Sequence, residues 1–250
     1  MRDDPELLIN EFFERLDELE ALAREITSRL TTATTSTAAR APRGERPFEL
    51  VVVCTGNRVR SPVAEGFLRI LTAGLPVRLS SAGLLDLGPV PALPETLQTA
   101  AELGLDLRDH RAQCVVNADL SVADLVVGFE QRHVATAVVD AHADREKAFT
   151  IIELVEMLER VLPPAETDPA ERARAAVGRA AALRRGRREP PTEIRDPLGG
   201  SAAVYRSTIE RVRDLAERLA VGLFGAESVN PLPVVATRAG HPHVRAVRDR

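Results

Sequence analysis

The apolar run Phe48-Glu49-Leu50-Val51-Val52-Val53 ends on Cys54, and after a short loop the pair Ser61-Pro62 opens a new segment. A run of that length and β-branched content reads as a strand buried in a parallel sheet. A Ser cap followed by Pro in the first turn reads as a helix N-terminus. The chain must therefore pass from strand to helix within a few residues. That turn aims the loop's backbone N–H groups and the positive end of the helix at one spot, which suits a phosphate-like dianion. A thiol, Cys54, lies beneath the spot, and a guanidinium, Arg60, closes it six residues later.

The residue types in the loop suit anion chemistry. Thiolates are favoured beside helix N-termini and guanidinium groups, which makes Cys54 a candidate nucleophile. Arg60 can hold two oxygens of one anion with its planar fork. Gly56 permits close backbone approach, and Asn57 tolerates a left-handed conformation while its side chain braces the loop. Ser61 can donate a hydrogen bond to the Cys54 sulfur. The competing reading is a buried structural cysteine at a strand end, since C-x5-R-S alone arises often by chance. The preceding β-run and the longer pattern C-T-G-N-x-x-R-S-P-x-A-E make the loop far more specific.

At 250 residues the chain has room for one large domain or two small ones. Hydrophobic residues make up 44%, enough for a substantial core, but aromatics only 3%, with no Trp and one Tyr, so Leu, Val, Ile and Ala must build it. A net charge of −4 implies no general attraction to nucleic acid. The 2 cysteines exclude a disulfide framework and suit a reducing compartment. No apolar run reaches membrane-spanning length, and the start MRDDPE is no signal peptide. The expectation is a cytoplasmic protein without membrane insertion.

Residues 5–30 carry a heptad stripe of Ile9, Phe12, Leu16, Leu19, Ala23, Ile26 and Leu30. The helix in 1–30 serves either as a coiled coil joining two chains into a homodimer, or as an arm packed on its own domain. Residues 31–46, rich in Thr, Ala and Arg, read as a flexible linker. From Pro47 strands and helices alternate: strands at about 48–54, 76–81, 124–129 and 148–152, with helices at about 61–74, 95–104, 130–142 and on to 161. This alternation argues for an α/β domain, a parallel sheet covered by helices on both faces, with the loop at the carboxyl end of strand one. A further segment, 162–192, holds a helical stretch at 168–185 and the basic cluster Arg184-Arg185-Gly186-Arg187-Arg188. The cluster is either a solvated helix face or a guide for an anionic substrate. An amphipathic helix at 204–224 and a disordered tail at 225–250 complete the chain; His241 and His243 are isolated and suggest no metal site.

The loop at 53–65 resembles the active-site loop of the low-molecular-weight protein-tyrosine phosphatase family. Ser80-Ser81-Ala82-Gly83, the segment Gly104–Ala112 with His110, Ala123-Asp124-Leu125-Val126-Val127, and Asp196-Pro197-Leu198-Gly199-Gly200-Ser201 with Tyr205 resemble further family segments in the same order. The resemblance covers about residues 47–224, with 162–192 as an insertion. It implies a three-layer domain with a four-stranded sheet in the order 2-1-3-4. It also implies hydrolysis of phosphorylated protein, most readily phosphotyrosine, through a phosphocysteine on Cys54 and without metal or cofactor. Arg60 and the backbone of Thr55, Gly56, Asn57, Arg58, Val59 and Ser61 would bind the phosphoryl group. Asp196 would act as general acid and then general base. Asn57, Ser61, Ser81 and His110 would hold the loop.

Three departures bear on substrate. Val59 stands where the family usually has a second cysteine, so no disulfide within the loop can shield Cys54. Leu198 and Gly199 stand where tyrosine-directed members carry aromatics, and D-P-L-G-G resembles the protein-arginine phosphatases of the family. Arg58 at the rim would repel a guanidinium and attract acidic residues around a phosphotyrosine. The alternatives are therefore a protein-arginine phosphatase, an arsenate reductase resolved by an external thiol, and a phosphoprotein-binding module.

Overall fold

The computed structural model describes residues 46–185 and 192–233. The heptad helix, most of the linker and Arg187 and Arg188 of the basic cluster lie outside these residues. Four strands, β1 (Phe48–Cys54), β2 (Val77–Gly83), β3 (Leu125–Gly128) and β4 (Ala148–Thr150), form one sheet in the order β2-β1-β3-β4. All neighbours are parallel. The helices are α1 (Arg60–Leu71), α2 (Pro94–Glu102), α3 (Gln131–Val139), α4 (Ile151–Leu158), α5 (Pro169–Arg184) and α6 (Ala202–Phe224).

Alternation along β1 divides the core. Phe48, Leu50, Val52 and Cys54 join Leu125, Val127 and Phe149 on the face covered by α1, α4, α5 and α6. Val51 and Val53 join Ala82, Val126 and Ala148 on the face covered by α3. With few aromatics available, the core is aliphatic around five fully buried phenylalanines, and Phe48 meets Phe224 edge to face at 5.9 Å between centroids. Helix α6, about 34 Å long at its 23 residues, presents Tyr205, Ile209, Val212, Leu215, Leu219 and Leu223 at steps of three and four and spans this whole face.

The sequence places the elements correctly and misses several ends. Strand β2 continues to Gly83 because Ser81, Ala82 and Gly83 keep pairing with β1, which overrides their weak strand preference. Strand β4 stops at Thr150. Its hydroxyl accepts from Glu153 N at 3.4 Å, and the Glu153 carboxylate accepts from Thr150 N at 3.4 Å, so a capping box draws Ile151 and Ile152 into α4. The tail expected from Gly225 onward begins with an ordered stretch: Leu232 is buried, and Asn230 donates through its backbone N to Leu71 O at 2.8 Å and through its side chain to Ala73 O at 2.8 Å.

Helix α5 is a core element. Asp168 caps it, accepting from Glu171 N at 2.9 Å, and Ala170, Ala173, Ala176, Val177, Ala180 and Ala181 form a small-residue stripe packed on α4 and α6. The reading of its basic end as a substrate guide is corrected for Arg184 and Arg185. Arg184 donates to Ala148 O and Arg145 O at 2.6 Å each and lies 4.1 Å from the Phe149 ring centroid. Arg185 pairs with Glu146 at 3.0 Å. Both serve the start of β4, and in a parallel sheet that edge is opposite the strand ends where Cys54 lies.

The same amino-terminal edge carries a buried carboxylate. Asp124, 4% exposed, accepts from Glu49 N at 3.0 Å, from Arg174 Nε and Nη2 at 3.2 and 3.1 Å, and from Arg46. Arg174 also donates to Arg46 O and Pro47 O, so α5 is tied to the start of β1. Replacing Asp124 with Ala should cost about 3 kcal/mol, because it strands a partly buried guanidinium. Urea denaturation measures this, and an unchanged midpoint would refute the role.

Candidate active site

Cys54 is the last residue of β1, buried, and paired with Gly83 of β2. The loop 55–59 folds back over that pair. A Cβ on Gly83 would come within 2.8 Å of Asn57 N and Gly56 C, so only glycine lets the loop settle there. Asn57 takes φ of 51°, the left-handed region that Asn tolerates. Its side chain is fully buried and spends its groups on the scaffold: Nδ2 donates to Ser61 Oγ and Ser81 Oγ at 2.8 Å each, and Oδ1 accepts from Gln113 N at 2.9 Å. His110 Nε2 donates to Asn57 O at 2.7 Å. Ser61 Oγ accepts from Asn57, and its own hydrogen can go to Cys54 Sγ at 3.0 Å or to Ala82 O at 3.3 Å. The four supporting residues expected from sequence thus form one connected network. Asn57 and Ser61, also expected to bind the anion, have side chains buried behind the loop, so only their backbones can face it.

Arg60 opens α1 and is 0% exposed. Its Nη1 donates to Glu130 Oε1 and to Ile194 O at 2.7 Å; its Nη2 donates to Thr55 Oγ1 at 2.9 Å and Asp196 Oδ2 at 2.6 Å. Phe129 lies beneath, 5.7 Å from the guanidinium carbon to its ring centroid. Nε is buried and has no hydrogen-bond partner among the described residues. A buried guanidinium N–H without an acceptor is costly, and it marks a place where an acceptor belongs. Asp196 Oδ1 accepts from Leu198 N at 3.2 Å, within a turn that Gly199 completes at φ of 80°.

Cys54, Thr55, Gly56, Arg58, Val59 and Asp196 line one cleft of about 100 Å³, together with Leu85, Leu87, Leu93 and Leu198. The walls are therefore aliphatic, as the D-P-L-G-G segment suggested. Arg58 stands at the rim and donates to Pro91 O at 2.8 Å. Cys114 flanks Gly83 on the side away from β1. Two strand spacings put it about 9.5 Å from Cys54 by Cα, too far for a disulfide. Among the described residues no cluster of His, Cys, Asp or Glu could hold a metal, and no helix is long and apolar enough to cross a membrane.

Sequence reasoning missed Glu130, Arg132 and His133, which follow β3. Burial opposes ionisation of Glu130, but hydrogen bonds from Arg60 and Arg132 outweigh it and hold its carboxyl below the usual range. His133 is 0% exposed; burial, then the charge of Arg60, lowers its pKa to about 4. Its Nδ1 accepts from Phe129 N at 3.2 Å and Glu130 N at 3.0 Å, so in the neutral ring Nε2 carries the proton and donates to Thr55 Oγ1 at 3.2 Å. The available signal was the cluster F-E-Q-R-H at the carboxyl end of a strand adjoining β1, where such sheets bind ligands.

Residues 49–171 match the sequence profile of the family described as low molecular weight phosphotyrosine protein phosphatase. The probable low molecular weight protein-tyrosine-phosphatase EpsP of Ralstonia nicotianae is 40% identical over 78 residues, 31% of this chain; the chain spans about half, 52%, of that relative's length. The protein-arginine-phosphatase of Bacillus subtilis is 25% identical over 69% of this chain and 95% of its own length. The low molecular weight protein-tyrosine-phosphatase Etp of Escherichia coli is 32% identical over 110 residues, covering 44% of this chain and 73% of Etp. With that match, and with β1, its loop and the sheet order arranged as described, the chain belongs to the low-molecular-weight protein-tyrosine phosphatase family.

Proposed function

We propose that the protein hydrolyses phosphorylated side chains of other proteins, phosphotyrosine before others, through a phosphocysteine on Cys54. The observation that carries this reading is the buried guanidinium of Arg60, with an unpartnered N–H, in the wall of the loop that holds a buried thiol. Cys54 attacks phosphorus in line. The N–H groups of the loop from Thr55 to Arg60 and the Arg60 fork stabilise the charge on the equatorial oxygens. An incoming phosphate competes with Asp196 for Arg60 Nη2; the released carboxylate takes up the proton that the Cys54 thiol gives up on attack and passes it to the leaving oxygen. Asp196 then takes a proton from the water that releases phosphate. Ser61 steadies the sulfur in both steps. A pure binding module has no use for a nucleophile and an acid on one cleft with a guanidinium paired to that acid.

Leu85, Leu87, Leu93 and Leu198 offer a phenyl ring apolar surface in the cleft. Arg58 at the rim opposes a guanidinium substrate. The B. subtilis relative supports the second reading, a protein-arginine phosphatase. Phosphate release from matched phosphotyrosine and phosphoarginine peptides separates the two. We expect release from phosphotyrosine that Cys54→Ser abolishes, and release from phosphoarginine alone would replace tyrosine with arginine. Asp196→Asn should lower kcat about a hundredfold or more with aryl phosphates. An unchanged kcat would remove it from catalysis.

Catalysis at neutral pH also requires His133 to stay neutral beside Arg60 and Arg132. Its protonation is opposed by those two cations and favoured by Glu130 and Asp196, with burial the largest factor. Below pH 6.5 the unfolded chain binds a proton that the folded chain refuses until about pH 4. Stability is therefore intact above 6.5 and falls with pH at ~1.4 kcal/mol per pH unit, about 3 kcal/mol in all, before levelling. Other carboxylates add to the loss, so the comparison is with His133→Gln, whose unfolding free energy should fall less steeply between pH 6.5 and 4. Equal slopes would mean that His133 protonates as readily folded as unfolded.

A further inference from the structure

Three N–H groups converge on the Thr55 hydroxyl: Arg60 Nη2 at 2.9 Å, Arg132 Nη2 at 3.0 Å and His133 Nε2 at 3.2 Å. A hydroxyl oxygen has two lone pairs, so one donor is surplus. His133 cannot yield, because its ring is fully buried and Nδ1 is pinned by two backbone N–H groups. Arg60 cannot yield, because it is fully buried and anchored through Nη1 by Glu130 and Ile194. Arg132 can. It is 53% exposed, and its remaining contacts all run to one carboxylate, Glu130, through Nε at 2.9 Å and Nη2 at 3.2 Å.

Thr55 lines the cleft beside Cys54, so Arg132 Nη2 lies one hydrogen bond from the wall of the anion seat. The charges there also call for it. During attack the seat must hold a thiolate and a phosphate dianion, while the charge of Arg60 is already shared with the ionised Glu130. One guanidinium leaves a large excess of negative charge in a poorly solvated cleft, where such excess is expensive. Glu130 binds the two arginines side by side and so positions the second cation next to the first.

We infer that Arg132 is a second anion-binding guanidinium of this site, which leaves Thr55 to take a non-bridging oxygen of the phosphoryl group. The assignment rests on the phosphatase reading for its substrate, but the anion contact itself is independent of turnover. It makes the cleft selective for a fully ionised phosphoryl group and leaves it sensitive to inorganic phosphate, the product. The Thr55 hydroxyl, with both lone pairs occupied, turns its own hydrogen toward the anion.

The test uses the full chain and inorganic phosphate, measured both by calorimetric binding and by inhibition of aryl phosphate hydrolysis. Arg132→Gln keeps a donor toward Thr55 and removes the charge; Arg132→Lys keeps the charge. In the Gln variant the Kd for phosphate and the KM should each rise about tenfold, as for a lost charge-assisted hydrogen bond, while kcat changes far less. The Lys variant should recover part of the binding. Phosphate binding unchanged in the Gln variant, or a fall in kcat alone, would overturn the inference and leave Arg132 as a partner of Glu130 only. Phosphate binding that weakens in the Gln variant of a chain that hydrolyses no phosphomonoester would sustain the contact while refuting the phosphatase reading. Wild-type protein that hydrolyses aryl phosphate with the same phosphate affinity as the Gln variant would refute the contact alone.

Discussion

A guanidinium buried at 0% exposure is the constraint around which this protein is arranged. Such a charge is tolerated only when most of its donors are met by acceptors. The acceptors around Arg60 come from three separate parts of the chain: Thr55 in its own loop, Glu130 after β3, and Ile194 with Asp196 in the segment before α6. Each can arrive only if the sheet is correctly ordered and the chain returns from α5 at the right height. The ion cluster is therefore also a check on topology. A strand misplaced by one position would leave a buried cation unpaired.

The loop has two unlike surfaces. Behind it, Asn57, Ser61, Ser81 and His110 form a hydrogen-bonded network that fixes the backbone and delivers a hydrogen bond to sulfur. In front, Arg60, Glu130, Arg132 and Asp196 form an ionic network with exchangeable partners. Hydrogen-bonded networks with every group satisfied rigidify. Ion pairs at the rim can be traded for an incoming anion. Thr55 belongs to the front, and His133 joins it there as a neutral donor. Keeping that ring uncharged stops a third cation from competing with the arginines for the carboxylates.

How much of this was legible follows from sequence distance. The strand, the loop and the start of α1 are contiguous, so thirteen letters revealed the thiol, the guanidinium and the turn that joins them. Alternation along β1 foretold the two-faced burial of the sheet. Glu130, Arg132 and His133 were invisible as site residues because only the pairing of β1 with β3 brings them near Cys54, more than seventy-five positions away. In isolation F-E-Q-R-H is an ordinary helix start. Arg184, left open as a solvated face or a substrate guide, was obscured for the converse reason. A run of arginines looks like an electrostatic device, yet its side chain folds over Phe149 and satisfies carbonyls at the opposite edge of the sheet. The Thr150 boundary failed because a capping box competes locally with strand continuation, and apolar letters alone cannot rank the two.

Under the proposed function, specificity in this cleft would rest on charge more than on ring recognition. Its walls are four leucines, two of them half exposed and Leu198 at 69%. Leucine walls reward apolar area without dictating the plane of a ring, whereas aromatic walls would impose stacking geometry. A substrate so loosely gripped along its stem must be oriented from its charged end. The cleft would meet that requirement with Arg58 at one rim and, behind Thr55, with Arg60 and Arg132, which both donate to its hydroxyl. Under the proposed function, aliphatic walls alone would admit either substrate, and the cation of Arg58 would disfavour a cationic stem.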